Sequence, residues 1–268
     1  MGWSRTPVAD RPRFTPWPLA MLRFFRRLHI RRLIGEKLDP RQTEWIDRRV
    51  SMRRRMSVRQ RERHEAIVRV MLGRCRFEGC EGLEVTDEIR TLIAGHAAVM
   101  LLGSDDYYFD KVGSIIVFPG TIVRSQGDDR LTLGEAWPNG GIVLSWPEVR
   151  ATGYHRRGRN VVIHEFAHHL DGLDGEMGGS LHFSRREDQL RWNEISGEEF
   201  ARLCEDVEDG YDTLLDPYGA TNMAEFFAVA SEAFFEDPWP LRREHPALYA
   251  MLELYYGFDP RCDQPDHI

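Results

Sequence analysis

The pattern with the clearest chemical potential is a pair of histidines four residues apart, His164 and His168, with Glu165 directly after the first. On an α-helix, residues at i and i+4 project from the same face, so both imidazoles can reach one ion. This is the HExxH arrangement, in which two neutral imidazoles bind Zn²⁺ and the glutamate takes a proton from water. The sequence therefore predicts a metal site, with Glu165 as the general base.

The residues around this pattern predict a buried helix over residues 160–171. Asn160 is a good N-cap, and Gly172 stands where a left-handed residue commonly ends a helix. Most other residues of the segment are apolar, so we expect the helix in the core, where polar groups need partners. The alternative is an amphipathic helix whose histidines pair with ordinary protein groups, but a metal ion meets the need directly.

A catalytic zinc ion usually takes three protein ligands and keeps one position for water. One candidate for the third ligand is Asp174, at the last position of an HExxHxxGxxH pattern. Asp171 replaces the glycine of that pattern, which makes the required turn less natural. Asp171 itself lies one turn after His168 and can instead orient that histidine by accepting a hydrogen bond.

Two further candidates lie on a predicted helix over residues 222–236, where acids interrupt an apolar sequence. Glu225 and Glu232 are seven residues apart, on one face of that helix. Glu225 also fits the third position after an Asn222 cap, which would make it a capping residue. Glu232 fits either a ligand or an acceptor that orients a zinc-bound histidine. Spacing alone leaves these alternatives open.

The remaining segments predict an α+β protein, with helices before and after a small mixed sheet. A helix is expected after the Ser57 cap and another after Thr86, and later ones over 160–171, about 196–208, 222–236 and 244–256. Strands are expected at Ser114–Phe118 and Gly141–Trp146, with weaker signals at Thr121–Val123 and Arg130–Leu133. The half of the chain after the sheet is thus mainly helical.

Composition excludes several classes of protein. The 268 residues are 42% hydrophobic and 29% charged, which is ordinary for a globular protein and unlike a collagen or a disordered chain. No segment approaches the roughly 20 apolar residues of a membrane-spanning helix, and Arg23 interrupts the N-terminal apolar segment, so we expect a cytoplasmic protein. The four cysteines form no CxxC pair, which predicts free thiols and argues against a thiolate zinc site.

The net charge of −7 is unevenly distributed. Residues 1–64 hold 18 basic and 6 acidic side chains, a net of +12, which leaves −19 for the rest of the chain. A basic region of this kind could bind nucleic acid. That function is disfavoured, because the body is acidic, no recognised binding motif is present, and arginine replaces lysine throughout the chain except at Lys37 and Lys111.

Three segments in order resemble the Mlc titration factor A family of zinc-dependent peptidases. They are GIVLSW at 141–146, HEFAHHLD at 164–171 and DPYGATNMAEFFAVASEAFF at 216–235. The resemblance runs from about Phe77 to Pro260. It departs from the family at Met223, where the family often has proline, and in the arginine-rich N-terminal region.

The resemblance implies a complete set of site residues: zinc ligands at His164, His168 and Glu225, a general base at Glu165 and a catalytic tyrosine at Tyr218. The phenol of Tyr218 could donate a hydrogen bond to the oxyanion as the peptide carbon becomes tetrahedral. The catalytic domain of anthrax lethal factor is similar at a greater distance, with a tyrosine seven residues before its ligating glutamate.

We accordingly divide the chain into a basic Arg/Pro-rich arm, residues 1–56, and a zincin-like metallopeptidase domain, residues 57–268. The family implies aminopeptidase-like hydrolysis of short peptides with one Zn²⁺ per chain, and the strand before Trp146 could pair with an extended substrate. The name-giving member binds the transcriptional repressor Mlc. The alternative function is therefore a non-catalytic protein that sequesters a transcriptional regulator.

Overall fold

A computed structural model describes residues 28–104, 107–109, 111–120, 141–152, 158–174, 178–179 and 181–262. The strands are β1 (Arg76–Gly79), β2 (Ser114–Phe118) and β3 (Ile142–Ser145). The helices are α1 (Pro40–Arg49), α2 (Val58–Arg74), α3 (Asp87–Ala98), α4 (Trp146–Ala151), α5 (Val161–Asp171), α6 (Arg186–Glu208), α7 (Met223–Glu236), α8 (Pro238–Glu244) and α9 (Pro246–Tyr256). Short 3₁₀ segments span Ser51–Arg55, Val99–Leu101, Gly172–Asp174 and Pro217–Ala220. This is the predicted α+β class.

The three described strands form one sheet in the order β1-β2-β3, and both pairs are parallel. The sequence predicts a mixed sheet, so the described strands differ from that prediction. Strands β1 and β2 are parallel because helix α3 lies between them in the chain and carries it back to the starting edge. The weaker predicted strands at Thr121–Val123 and Arg130–Leu133 lie outside the described residues.

Helix α5 forms where the sequence predicts it, and Asn160 is its N-cap. The Asn160 Oδ1 atom accepts hydrogen bonds from the backbone amides of Val162 and Ile163, each at 3.2 Å. The prediction for Gly172 is wrong, because its φ is −80° and not left-handed. The chain instead continues into a 3₁₀ turn, so the helix end needs no glycine of positive φ.

Helices α7 and α9 begin within two residues of the predicted ranges, but helix α6 begins ten residues earlier than predicted. The first part of α6 is rich in charged residues and has little apolar periodicity. Its one large apolar anchor is Trp192, which is fully buried and donates its indole N–H to the carbonyl of Gly179 at 3.0 Å. The periodicity of apolar residues in the sequence gives no information about a tertiary contact of this kind.

Much of the segment that the sequence assigns to the basic arm packs against the body. Residues 28–35 are helical, and α1 lies on α3 with Ile46 fully buried. Gly95 of α3 permits this approach, since a Cβ atom there would lie 3.2 Å from the side chains of both Ile46 and Val50. The domain boundary at residue 56 itself stays a prediction.

The four cysteines all lie in the described residues and form no disulfide bond there, as predicted. Cys75 is buried, and burial raises the pKa of its thiol to about 11. In the described part of the chain no helix is both long enough and apolar enough to cross a membrane.

Candidate metal centre

The candidate site lies between helices α5 and α7, which pack along each other. Their contacting faces are apolar, and Phe166 of α5 and Phe226 of α7 are both fully buried. Burial of these faces fixes the two helices side by side, which is the main source of their stability in the protein. Polar side chains of both helices are therefore held at defined positions within an apolar environment.

Three of these side chains meet at one point. The Nε2 atom of His164 lies 2.9 Å from the Oε2 atom of Glu225 and 3.2 Å from the Nε2 atom of His168. The third side of the triangle, between His168 Nε2 and Glu225 Oε2, measures 3.3 Å. Among the described residues, this is the group of His, Cys, Asp and Glu side chains whose spacing could hold a metal ion.

The chemistry of these atoms suits a cation. The Nδ1 atom of His164 donates to Glu232 Oε1 at 2.7 Å, so in the neutral ring the Nε2 atom carries the lone pair. That lone pair faces a carboxylate oxygen and a second imidazole nitrogen, and a cation shared by the three atoms would be stabilised by all of them. Two imidazoles and one carboxylate are also a donor set typical of catalytic zinc. The residues present therefore fit a zinc ion.

The pKa shifts of His164 and Glu225 also indicate that this group favours a cation. Burial acts to lower the pKa of His164, but hydrogen bonds with Glu225 and Glu232 outweigh burial and raise it. Burial acts to raise the pKa of Glu225, but hydrogen bonds with His164 and His168 lower it far below its usual value. Glu225 is thus held as an anion facing the two imidazoles, and this anion attracts a cation.

Tyr218 lies beside this group, and Glu165 is the chain neighbour of one of its members. Glu165 follows His164 on α5, and its side chain is buried with 2% of its surface exposed. Tyr218 lies on the 3₁₀ segment before α7, where Asp216 caps its backbone amide at 2.9 Å. Its hydroxyl is 3.4 Å from Glu225 Oε1. The structure thus brings Tyr218 beside the three candidate ligands.

The alternatives for the third ligand occupy other positions. Glu232 contacts the far side of the His164 ring through Nδ1, which fits the orienting role that the sequence leaves open for it. Asp171 uses its Oδ2 atom to accept from the backbone amides of Gly178 and Gly179, at 3.0 and 2.8 Å. The backbone of Asp174 lies in a 3₁₀ turn, and its side chain is outside the described atoms.

Asn222 caps α7 as predicted, because its Oδ1 atom accepts from the amide of Glu225 at 3.0 Å. The carboxylate of Glu225 nevertheless turns toward the histidines. Capping and metal binding are therefore compatible at this position, since one uses the backbone of Glu225 and the other its side chain.

Sequence reasoning missed the further contacts of Asn160 with Glu236 and His96, for which spacing gives no signal.

Comparison with known sequences identifies the class of protein and its family. Residues 25–257 match the glucose-regulated metallo-peptidase M90 family, to which the chain therefore belongs. The match includes part of the region that the sequence assigns to the basic arm. Family membership supports a hydrolase that acts on peptide bonds with a bound metal.

The chain is also similar to individual proteins. An uncharacterized protein of Synechocystis sp. is 34% identical over 243 residues, which cover 86% of this chain and 88% of that protein. Proteins called Mlc titration factor A in Yersinia pestis and Yersinia pseudotuberculosis are 27% identical over 217 residues, which cover 75% of this chain and 78% of each. The predicted resemblance to that family is confirmed. The more distant likeness to anthrax lethal factor stays a prediction.

Proposed function

We propose that the protein is a zinc-dependent peptidase whose metal ligands are His164, His168 and Glu225. The observation that carries this proposal is the triangle of ligand atoms, with sides of 2.9 to 3.3 Å, contributed by two helices. Three ligands of this kind leave room in a tetrahedral shell for water or substrate. Membership in a metallopeptidase family supports the same reaction class.

His164, His168 and Glu225 would hold the zinc ion, which would supply a Lewis acid for the attacking water and the scissile carbonyl. Glu165 then takes the proton of the attacking water and returns it to the nitrogen of the departing amine. The hydroxyl of Tyr218 donates a hydrogen bond to the oxyanion that develops on the peptide carbonyl. The buried surroundings of Glu165 strengthen these interactions, because electrostatic effects are larger where water is excluded.

We further propose aminopeptidase-like action on short peptides, with one Zn²⁺ per chain, in the cytoplasm. Strand β3 precedes α4 and packs against α5, which supports the proposal that it pairs with an extended substrate backbone. Peptide is the proposed substrate class, and nucleic acid is not a proposed partner.

A second candidate function is sequestration of a transcriptional repressor that resembles Mlc. It is favoured by the name of the Yersinia relatives, Mlc titration factor A. Such binding needs no turnover, although it is compatible with catalysis in the same protein. The two functions make different demands on Glu165, because only hydrolysis needs a proton acceptor at that position.

The deciding experiment compares the wild type with Glu165→Gln in metal content, hydrolysis of fluorogenic peptides and retention of a purified Mlc-type repressor. Hydrolysis should fall by about 10²–10⁴-fold in the variant, since a general base contributes that much, while metal content stays unchanged. A variant that hydrolyses peptides at the wild-type rate would show that Glu165 is not the base. Repressor binding without hydrolysis in the wild type would favour the second function.

A further inference from the structure

A chain of hydrogen bonds leads away from the proposed metal site on the far side of His164. It begins at Glu232, whose two carboxylate oxygens have separate partners. Oε1 accepts from the Nδ1 atom of His164 at 2.7 Å, and Oε2 accepts from the backbone amide of Asn160. Glu232 is 5% exposed, so its hydrogen bonds are made almost entirely within the protein. The carboxylate therefore fixes both the tautomer and the tilt of the His164 ring.

Asn160 is the second member of the chain. Its Oδ1 atom accepts from two amides of α5, and its Nδ2 atom donates to Glu236 Oε1 at 2.7 Å and is 3.1 Å from His96 Nδ1. A flipped amide would place Oδ1 against the carboxylate of Glu236, which is an unfavourable contact between two acceptors. The amide orientation is thus determined, and Asn160 links Glu232 to Glu236 rigidly.

The third link is Glu236, at the end of α7. Its Oε2 atom accepts a hydrogen bond from the hydroxyl of Ser51. Arg55 donates to the backbone carbonyl of Phe235, which brings its positive charge near Glu236. Ser51 and Arg55 are the two ends of the 3₁₀ segment that follows α1. This segment lies within the region that the sequence assigns to the basic arm.

We propose that Ser51, Glu236, Asn160 and Glu232 form a chain of positioning residues that holds the His164 ring in its metal-binding orientation. This inference rests on the proposed zinc site. Groups that orient a metal-bound histidine affect metal affinity although they do not touch the metal. Here the outermost group comes from an N-terminal segment, since Ser51 and its partner Glu236 are 185 positions apart in the sequence. The 3₁₀ segment Ser51–Arg55 thus helps to position a proposed metal ligand.

The test measures the zinc dissociation constant of the full-length protein by competition with a chromophoric chelator. In Glu232→Gln the amide oxygen can accept from His164, but its NH₂ group then faces the Asn160 amide as a second donor. We expect zinc binding to weaken by about 10–100-fold, as is usual for loss of an orienting partner. Ser51→Ala should weaken it less, by about threefold to tenfold, because it acts through the intervening residues. The separate variant Ser51→Thr keeps the hydroxyl and should bind zinc with the affinity of the wild type.

The matched control is Ser231→Ala. Ser231 is a fully buried serine next to Glu232 on α7, but its hydroxyl bonds the carbonyl of Phe227 and the hydroxyl of Tyr256, each at 2.8 Å. Its loss should lower the melting temperature without changing zinc affinity. The visible absorption of the Co²⁺-substituted protein gives a second measurement, because the spectrum changes when a ligand ring tilts. We expect a changed spectrum in Glu232→Gln and an unchanged one in Ser231→Ala.

Three results would overturn the positioning chain. Equal zinc affinity in the wild type, Glu232→Gln and Ser51→Ala would do so while leaving the peptidase proposal intact. Equal weakening in Ser51→Ala and Ser231→Ala would assign the effect to general destabilisation. A wild-type protein that binds no stoichiometric zinc would remove both this inference and the proposed function, so the two failures can be distinguished.

Discussion

The Nε2 atom of His164 and the Oε2 atom of Glu225 lie 2.9 Å apart, although 61 positions separate the two residues in the chain. The contact joins the N-terminal half of α5 to the first turn of α7. Negative charge in the first turn of a helix is stabilised by the helix dipole, so this position favours an ionised carboxylate. A carboxylate that is kept ionised opposite two imidazoles is suited to hold a divalent cation.

Replacement of His168 by alanine should abolish stoichiometric zinc binding. One of three proposed ligands is lost, so the affinity should fall by more than the roughly 10–100-fold that loss of an orienting partner costs. The adjacent His169 offers a matched control, because its Nε2 atom lies 2.9 Å from the hydroxyl of Tyr107. Metal analysis of purified protein should find zinc in the wild type and His169→Ala. A His168→Ala protein with full zinc content would contradict the ligand assignment.

Replacement of Tyr218 by phenylalanine should lower kcat while zinc content and KM stay close to those of the wild type. The hydroxyl is proposed to stabilise the oxyanion in the transition state, and loss of one such donor costs about 10²–10³-fold in kcat. Tyr211→Phe is the control, because Tyr211 is 66% exposed. The measurement is steady-state hydrolysis of a fluorogenic peptide. An unchanged kcat in Tyr218→Phe would show that this hydroxyl has no part in the reaction.

Gly179→Ala should destabilise the protein by about 1–3 kcal/mol, because φ is +69° and an added Cβ would lie 2.4 Å from the carbonyl oxygen of Met223. Met223 is the first residue of α7, so the substitution also disturbs the helix that carries Glu225. At the neighbouring Gly178 an added Cβ meets nothing within 4 Å, so Gly178→Ala is the control. Urea unfolding measures the free energy of unfolding of both variants. Equal stability of the two variants would refute the argument.

The stability of the protein should decrease as the pH falls below neutrality, in part because of His64. Burial, assisted by the charge of Arg53, lowers the pKa of His64 from 6.5 to about 4, against the opposing effect of its hydrogen bond to Gly95. An unfolded chain would protonate this histidine near 6.5, so between the two values the unfolded state binds more protons. The full shift corresponds to about 3 kcal/mol of stability, lost as the pH falls from 6.5 to 4.

The measurement for His64 is urea unfolding at pH 7.5 and pH 5 for the wild type and His64→Gln. The glutamine can still donate to the carbonyl of Gly95 but takes up no proton, so the variant should lose less stability between the two pH values. The stability of His64→Gln should still depend on pH, because burial also lowers the pKa of His96 to about 3 and that of His169 to about 4. Identical losses in both proteins would exclude His64 as a source of the pH dependence.

Local sequence features determined several elements correctly. The helix around HExxH followed from an N-cap and an apolar segment, and the cap at Asn222 from a short-range preference. These signals need only neighbouring residues, because capping bonds span two or three positions. Strand β1 was missed for the opposite reason. It has four residues, two of them charged, and pairs with β2 across the whole length of α3.

Spacing in the sequence defined two imidazoles on one helical face, since a helix fixes the geometry of i and i+4 without reference to the rest of the chain. Spacing could not decide whether Glu225 or Glu232 is the better candidate for the third metal ligand, because both lie on the same face of α7. Packing of α7 against α5 gives the two carboxylates different positions: Glu225 faces the Nε2 atoms of the histidines, and Glu232 contacts the opposite nitrogen of His164. Only the tertiary structure decides this, because the two carboxylates differ in where they lie relative to another helix, and local preferences carry no information about that distance.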